Sequence, residues 1–228
     1  MSFRQTLGIL MAAFLPLTGW CAEPQTDYMA LVKDIQMMSK VGERLTIVMW
    51  MPEQYWEASL GSNPRLTQVG KEEFLDAVRP YTIVAVVDAK VGITGALSFS
   101  ETLAADVKLE DDAGNVYEPI DPQAQSGDIK NMLQTLKPVF ANAMGPFGAH
   151  LEVLVFPANR KDGKRIADPI KDGFLVVRVA DQRFRYRLPL GSLLPAMIDK
   201  RTGETFPGNY HFNPYTGDKL GLAPAAAK

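Results

Sequence analysis

Apolar and polar positions along this chain mark strands more clearly than helices. Residues 81–89, YTIVAVVDA, form the most continuous apolar, β-branched run outside the N-terminus and predict a central buried strand. Over 44–51, Leu45, Ile47, Met49 and Met51 alternate with Thr46, Val48 and Trp50, as in a strand buried on one face and largely covered on the other. Runs at 105–110, 151–156, 174–180 and 183–188 predict strands packed beside or across from these. In the last, the two-residue period puts Arg183, Arg185 and Arg187 on one face and Phe184, Tyr186 and Leu188 on the other.

Helical spacing is found between them. Tyr28, Leu31, Ile35 and Met38 recur at three and four and predict an amphipathic helix over 26–41, capped by Asp27 and terminated by Gly42. Pro52 opens a short helix carrying Tyr55 and Trp56, and 71–79 predicts another with Phe74, Leu75 and Val78 inward. Residues 52–80 therefore read as an insertion of about 30 residues between two strands, the kind of excursion where function often sits. Asp128 is read as the cap of a helix with Ile129, Met132, Leu133, Leu136, Val139 and Phe140 on one face, bent at Pro138 and ended near Gly145. The acidic stretch at 111–115 reads as a hairpin turn, because it lacks the alternating ligands and distal glutamate of a calcium loop.

This pattern predicts a mainly β fold. A β-sandwich-like domain spans 27–195 with flanking helices and the insertion at 52–80, a small hairpin follows at 199–220, and 221–228 is a disordered tail. A different α+β arrangement is the alternative, whereas the lack of regular βαβ alternation argues against a doubly wound sheet.

Composition changes the picture at the N-terminus. Residues 1–22 carry one positive charge, Arg4, then an apolar run at 7–17, and read as a secretory signal peptide, so the protein is expected in the periplasm or secreted. The run is too short for a membrane span of roughly 20 residues. Cys21 is the single cysteine; it lies where the signal would be cut, and lipid anchoring through it is the alternative. Without it no disulfide or thiolate metal site within one chain can form. A formal charge of −2 gives no electrostatic footprint for nucleic acid.

Near the C-terminus two segments share a spacing: Asp199-Lys200-Arg201-Thr202-Gly203 and Asn213-Pro214-Tyr215-Thr216-Gly217. Their arrangement resembles the paired knuckles of a zinc ribbon, C-x-x-C-G and C-P-x-C-G, with every cysteine replaced. The resemblance covers 199–220 only. It implies that Asp199, Thr202, Asn213 and Thr216 occupy the former ligand positions of a metal-free hairpin. Thr hydroxyls and an Asn amide are poor zinc ligands, and such side chains hold turns by bonding to backbone instead.

Other chemical templates fail. Neither G-x-S-x-G nor S-x-x-K occurs, H-E-x-x-H is absent, and His150 and His211 are the only imidazoles. No cofactor is indicated. Met49 and Met51, sharing a strand face, suggest Cu(I) by their thioethers, but equally describe core methionines. Tyr55 and Trp56, or the Arg183, Arg185 and Arg187 stripe, offer interface anchors for another protein or an envelope component. The reading that follows is an exported, non-enzymatic binding or assembly domain. The alternatives are a periplasmic copper-binding protein using Met49 and Met51, and an enzyme of unrecognised type.

Overall fold

A computed structural model describes residues 27–61, 66–100 and 103–224. The expected signal peptide, residues 1–22 with Cys21, lies outside them. About 33% strand and 30% helix make the chain a β-rich mixed fold, with antiparallel sheets and helices covering one of them.

The first sheet is built on β2 (Arg44–Met51) and β3 (Tyr81–Val91), which pair antiparallel along their lengths. Beyond β2 lies β1 (Gln36–Val41). The other edge of β3 is shared by β7 (Glu152–Pro157), on its first half, and β4 (Leu97–Phe99), at its far end. A second sheet has the order β6 (Val116–Tyr117), β5 (Val107–Glu110), β8 (Gly173–Val179), β9 (Gln182–Leu188), all antiparallel.

The two sheets meet face to face. Trp50 of β2 meets Tyr186 of β9 edge-on, with ring centroids 5.7 Å apart, and the Tyr186 hydroxyl donates to the Val48 carbonyl at 3.3 Å. Farther along, Gln182 Nε2 donates to Thr46 Oγ1 at 2.9 Å. Thr46, Val48 and Trp50 thus form the inner face of β2. From the second sheet, Val107, Leu109, Leu175, Val177, Val179 and Phe184 point back at it, all buried. Burial pushes the Tyr186 phenol well above its ordinary range, so it stays a neutral donor. Sandwich packing of this kind explains why alternate positions on every strand are apolar.

The opposite face of the first sheet carries Met51, Ile83, Ala85 and Val87, also buried, and is covered by helices. They are α1 (Tyr28–Ile35), α2 (Glu53–Gly61), α3 (Gln68–Val78) and α4 (Gly127–Met144), with the short α5 (Pro146–Ala149) closing the last. Asp27 caps α1 by accepting from the N–H groups of Met29 and Ala30.

Three expectations are corrected. The helix predicted over 26–41 stops at Ile35, and the next six residues form β1. Gly42, read as a helix terminator, has φ +59° and turns a hairpin that lays β1 along the free edge of β2. A hairpin ladder with the adjacent strand β2 outweighs the last helical turn, because propensity is a weak prior where strand pairing is on offer. The helix at 127 is capped by Ser126, whose Oγ accepts from the Ile129 N–H, and not by Asp128, which lies in its first turn. Finally, the predicted disordered tail begins too early: β12 (Gly221–Leu222) pairs with β10 (Met197–Ile198), and the Ala223 N–H donates to the Ala196 carbonyl. With β11 (Thr205–Phe206) these strands make a third, small sheet.

Candidate interaction surface

The outer face of the second sheet gathers cations from three strands. Because Val107 and Leu109, Val177 and Val179, and Phe184 and Tyr186 point inward, the intervening residues point out. Register then sets Lys108 opposite Arg178, and Arg178 opposite Arg183, in one row across three strands. Along β9 the stripe continues with Arg185, opposite Val176, and Arg187, opposite Phe174. The guanidinium of Arg185 lies 4.1 Å over the Phe174 ring, a cation–π contact. Val176 is 1% exposed despite its outward position, so the long side chains around it roof it over.

Two carboxylates answer these five cations: Glu110 meets Arg183 at 2.8 Å and Glu118 meets Lys108 at 2.6 Å. Among the described residues no ion pair to Arg178, Arg185 or Arg187 is found. Like charges directly opposite on adjacent strands each cost about 0.2–1 kcal/mol. In a chain of net charge −2, this face concentrates positive charge against that cost. The sequence marked Arg183, Arg185 and Arg187; it missed Lys108 and Arg178, whose alternation was visible but whose register was not.

Tyr55 and Trp56, expected as interface anchors, are core residues instead, at 6% and 3% exposure. Tyr55 stacks on Tyr28 and meets Trp56 edge-on, and Trp56 packs on Phe74. The insertion folds back because its aromatics bury more apolar surface against α1 and α3 than they would in water. Met49 and Met51 share the helix-covered face, opposite Ala85 and Ile83; Met51 is in the hydrophobic core and Met49, partly buried, packs against it. His150 stacks on Phe99 at 4.0 Å between centroids, and His211 is exposed.

The two C-terminal knuckles have matched geometry. Asp199 Oδ1 accepts from the N–H groups of Arg201 and Thr202; Asn213 Oδ1 accepts from those of Tyr215 and Thr216. Each residue's carbonyl accepts from the glycine four positions on, Gly203 or Gly217, at φ +76° and +78°. Each N–H donates to the carbonyl five positions on, of Glu204 or Asp218. Between the knuckles, Asn213 Nδ2 donates to Asp199 Oδ2 at 2.7 Å, with both residues buried. That bond, with the backbone donors, holds the Asp199 carboxyl below the ordinary carboxylate range. Thr202 and Thr216 contribute less, their hydroxyls accepting from Glu204 and Asp218 N–H at 3.3 Å.

Glycines fasten this module to the sandwich. The Gly208 N–H donates to the Gly191 carbonyl at 3.0 Å, and a Cβ on Gly208 would collide with Leu194 and the Pro195 carbonyl. From the other side, Asp34 of α1 accepts from the Ser192 N–H at 2.8 Å.

Grooves elsewhere carry less convergent chemistry. A cavity of about 560 Å³ between α4 and β7 has an apolar floor of Val153, Leu154 and Val155, and Lys130 on its rim is spent on the Gln123 carbonyl. A smaller one, about 210 Å³, surrounds Glu53, which is held by Arg79 at 2.7 Å and Arg165 at 3.3 Å and so ties α2 to the loop before β8. Among the described residues no group of three His, Cys, Asp or Glu side chains could hold a metal ion, and no helix is long and apolar enough to cross a membrane. No protein-family model, no curated protein and no solved structure matches this chain.

Proposed function

We propose that this chain is an exported, non-enzymatic binding or assembly domain that docks an anionic partner, a protein or an envelope component, on the outer face of its second sheet. The observation that carries the reading is the row Lys108, Arg178, Arg183 with Arg185 and Arg187 beside it, five cations against two carboxylates. A fold gains nothing from opposing like charges, so an opposite charge from outside is the natural relief. Export rests on residues 1–22 and is read by mass spectrometry of the envelope fraction: loss of that segment supports it, retention refutes it, and a lipid mass on Cys21 means tethering. Docking is tested by titrating the processed chain with polyglutamate, a heparin oligosaccharide and anionic phospholipid vesicles at several salt concentrations. Salt-sensitive binding that disappears when Arg183, Arg185 and Arg187 are all changed to Glu supports the surface. Equal binding by the triple variant places docking elsewhere.

A second reading concerns the knuckles. Their paired hydrogen bonding, and the Asp199–Asn213 bond between them, favour a zinc-ribbon framework that exchanged its metal for a polar clasp. Changing Asp199, Thr202, Asn213 and Thr216 together to Cys should then create a tetrahedral site. Cobalt absorption typical of four thiolates is the expected result; a variant that leaves cobalt in water sinks the idea.

A further inference from the structure

β9 is an edge strand, and its arginines point their backbone, as well as their side chains, toward open space. Hydrogen bonds alternate in direction along each strand of the sheet. Just past β8, Ala180 donates its N–H to the Asp106 carbonyl, continuing the β5–β8 ladder, so positions 180, 178 and 176 bond toward β5. Positions 179, 177 and 175 therefore bond toward β9, to Gln182, Phe184 and Tyr186. Closure of the β8–β9 hairpin through the pair Val179 and Gln182, with Ala180 at φ +52° in the turn, agrees. What remains on β9 is decisive: the N–H and C=O groups of Arg183, Arg185 and Arg187 face away from β8. Among the described residues no backbone hydrogen bond reaches them.

Resting on the docking reading above, we infer that the occupant is an extended, acidic segment of a partner protein, which adds to the second sheet as a strand beside β9. Each arginine offers such a strand a main-chain donor, a main-chain acceptor and a guanidinium on one face. An antiparallel newcomer meets the arginines in its own hydrogen-bonded positions, at every second residue, with side chains on the arginine face. Asp or Glu at those alternate positions completes both sets of bonds, and apolar or Thr residues between them extend the inner face.

Charge also says what is refused. A second copy of β9 would set Arg185 against Arg185 and Arg183 against Arg187, so self-pairing through this edge is opposed while an acidic strand is admitted. Since Arg183 already has Glu110, Arg185 and Arg187 carry most of the selectivity.

The test uses the processed chain and a synthetic peptide alternating Glu with Val, read by fluorescence anisotropy. In the bound strand the Glu N–H groups face β9 and the Val N–H groups face away. N-methylation at the Glu positions is expected to weaken binding at least about tenfold, and N-methylation at the Val positions by no more than about twofold, at identical charge. Hydrogen exchange gives an independent reading: in the free chain the amides of Arg183, Arg185 and Arg187 exchange fast and those of Phe184 and Tyr186 slowly, and the peptide protects the first set. Arg185→Glu should cost about tenfold in peptide affinity while the fold, followed by circular dichroism, is unchanged. If the Glu-methylated peptide or anionic vesicles bind as well as the alternating peptide, strand addition is overturned and anionic docking stands. If none of these anions binds at all, both fall.

Discussion

The sandwich and the C-terminal knuckle module solve the same problem with opposite materials. In the sandwich, Trp50, Val48, Leu175, Val177 and Tyr186 fill the space between two sheets, and the Tyr186 hydroxyl finds a main-chain carbonyl. In the module, the residues at the centre are Asp199 and Asn213, and hydrogen bonds do what side-chain volume does elsewhere. A stretch as short as 199–220 has too little apolar surface for a core of its own. Such small units need a staple, and here it is polar. The sandwich should therefore be broken by removing volume, and the module by removing a single hydrogen-bond partner or a proton's worth of charge.

The largest effect expected is from Trp50→Ala. Opening that space between the sheets should cost about 3–5 kcal/mol in urea denaturation, with both sheets lost in one transition. Two separate transitions would mean that the sheets are held independently.

Next comes Asn213→Ala, which leaves Asp199 Oδ2 buried without its donor. A loss of roughly 1–3 kcal/mol is expected, confined to the module, so that proteolysis within 199–220 accelerates while amides of β2 and β3 keep their protection. Gly208→Ala attacks the same seam from its docking side and should loosen the module likewise. Uniform loss of protection in either variant would make the two regions one cooperative unit.

Acid acts on one carboxylate in each region. The Asp199 carboxyl titrates below its unfolded value, so its contribution is fully present above about pH 4 and is lost as pH falls through the folded value. Asp111, in the β5–β6 turn, behaves in the same sense. Burial pushes it up, but hydrogen bonds from Asn115 and Tyr117 and the nearby Arg160 outweigh that and hold it low. Asp199→Asn should flatten the module's stability below pH 4, and Asp111→Asn that of the β5–β6 hairpin. A thermal-denaturation profile unchanged by both replacements would show that neither carboxylate is tuned by its partners.

Smallest in stability is Arg185→Glu, expected within about 0.5 kcal/mol of the parent because the side chain is exposed and its neighbours are like-charged. Its cost should fall on partner binding alone. Collapse of the fold would make the Arg185–Phe174 contact structural.

Sequence alone determined the strands marked by a continuous apolar run, 81–89, or by period-two alternation, 44–51 and 183–188, which coincide closely with β3, β2 and β9. It also singled out the knuckle spacing and the arginine stripe, because both are patterns of neighbouring residues. Only the tertiary structure decided that residues after Ile35 leave the helix for an edge strand, since the competing ladder lies on β2. The burial of Tyr55 and Trp56 was likewise set by what α1 and α3 bring near them. Lys108 and Arg178 join the cationic face through register, a relation between distant segments that no local spacing encodes. The open backbone edge of β9 exists for the same reason: which hydrogen bonds remain unmade is known only after every other strand has found its partner.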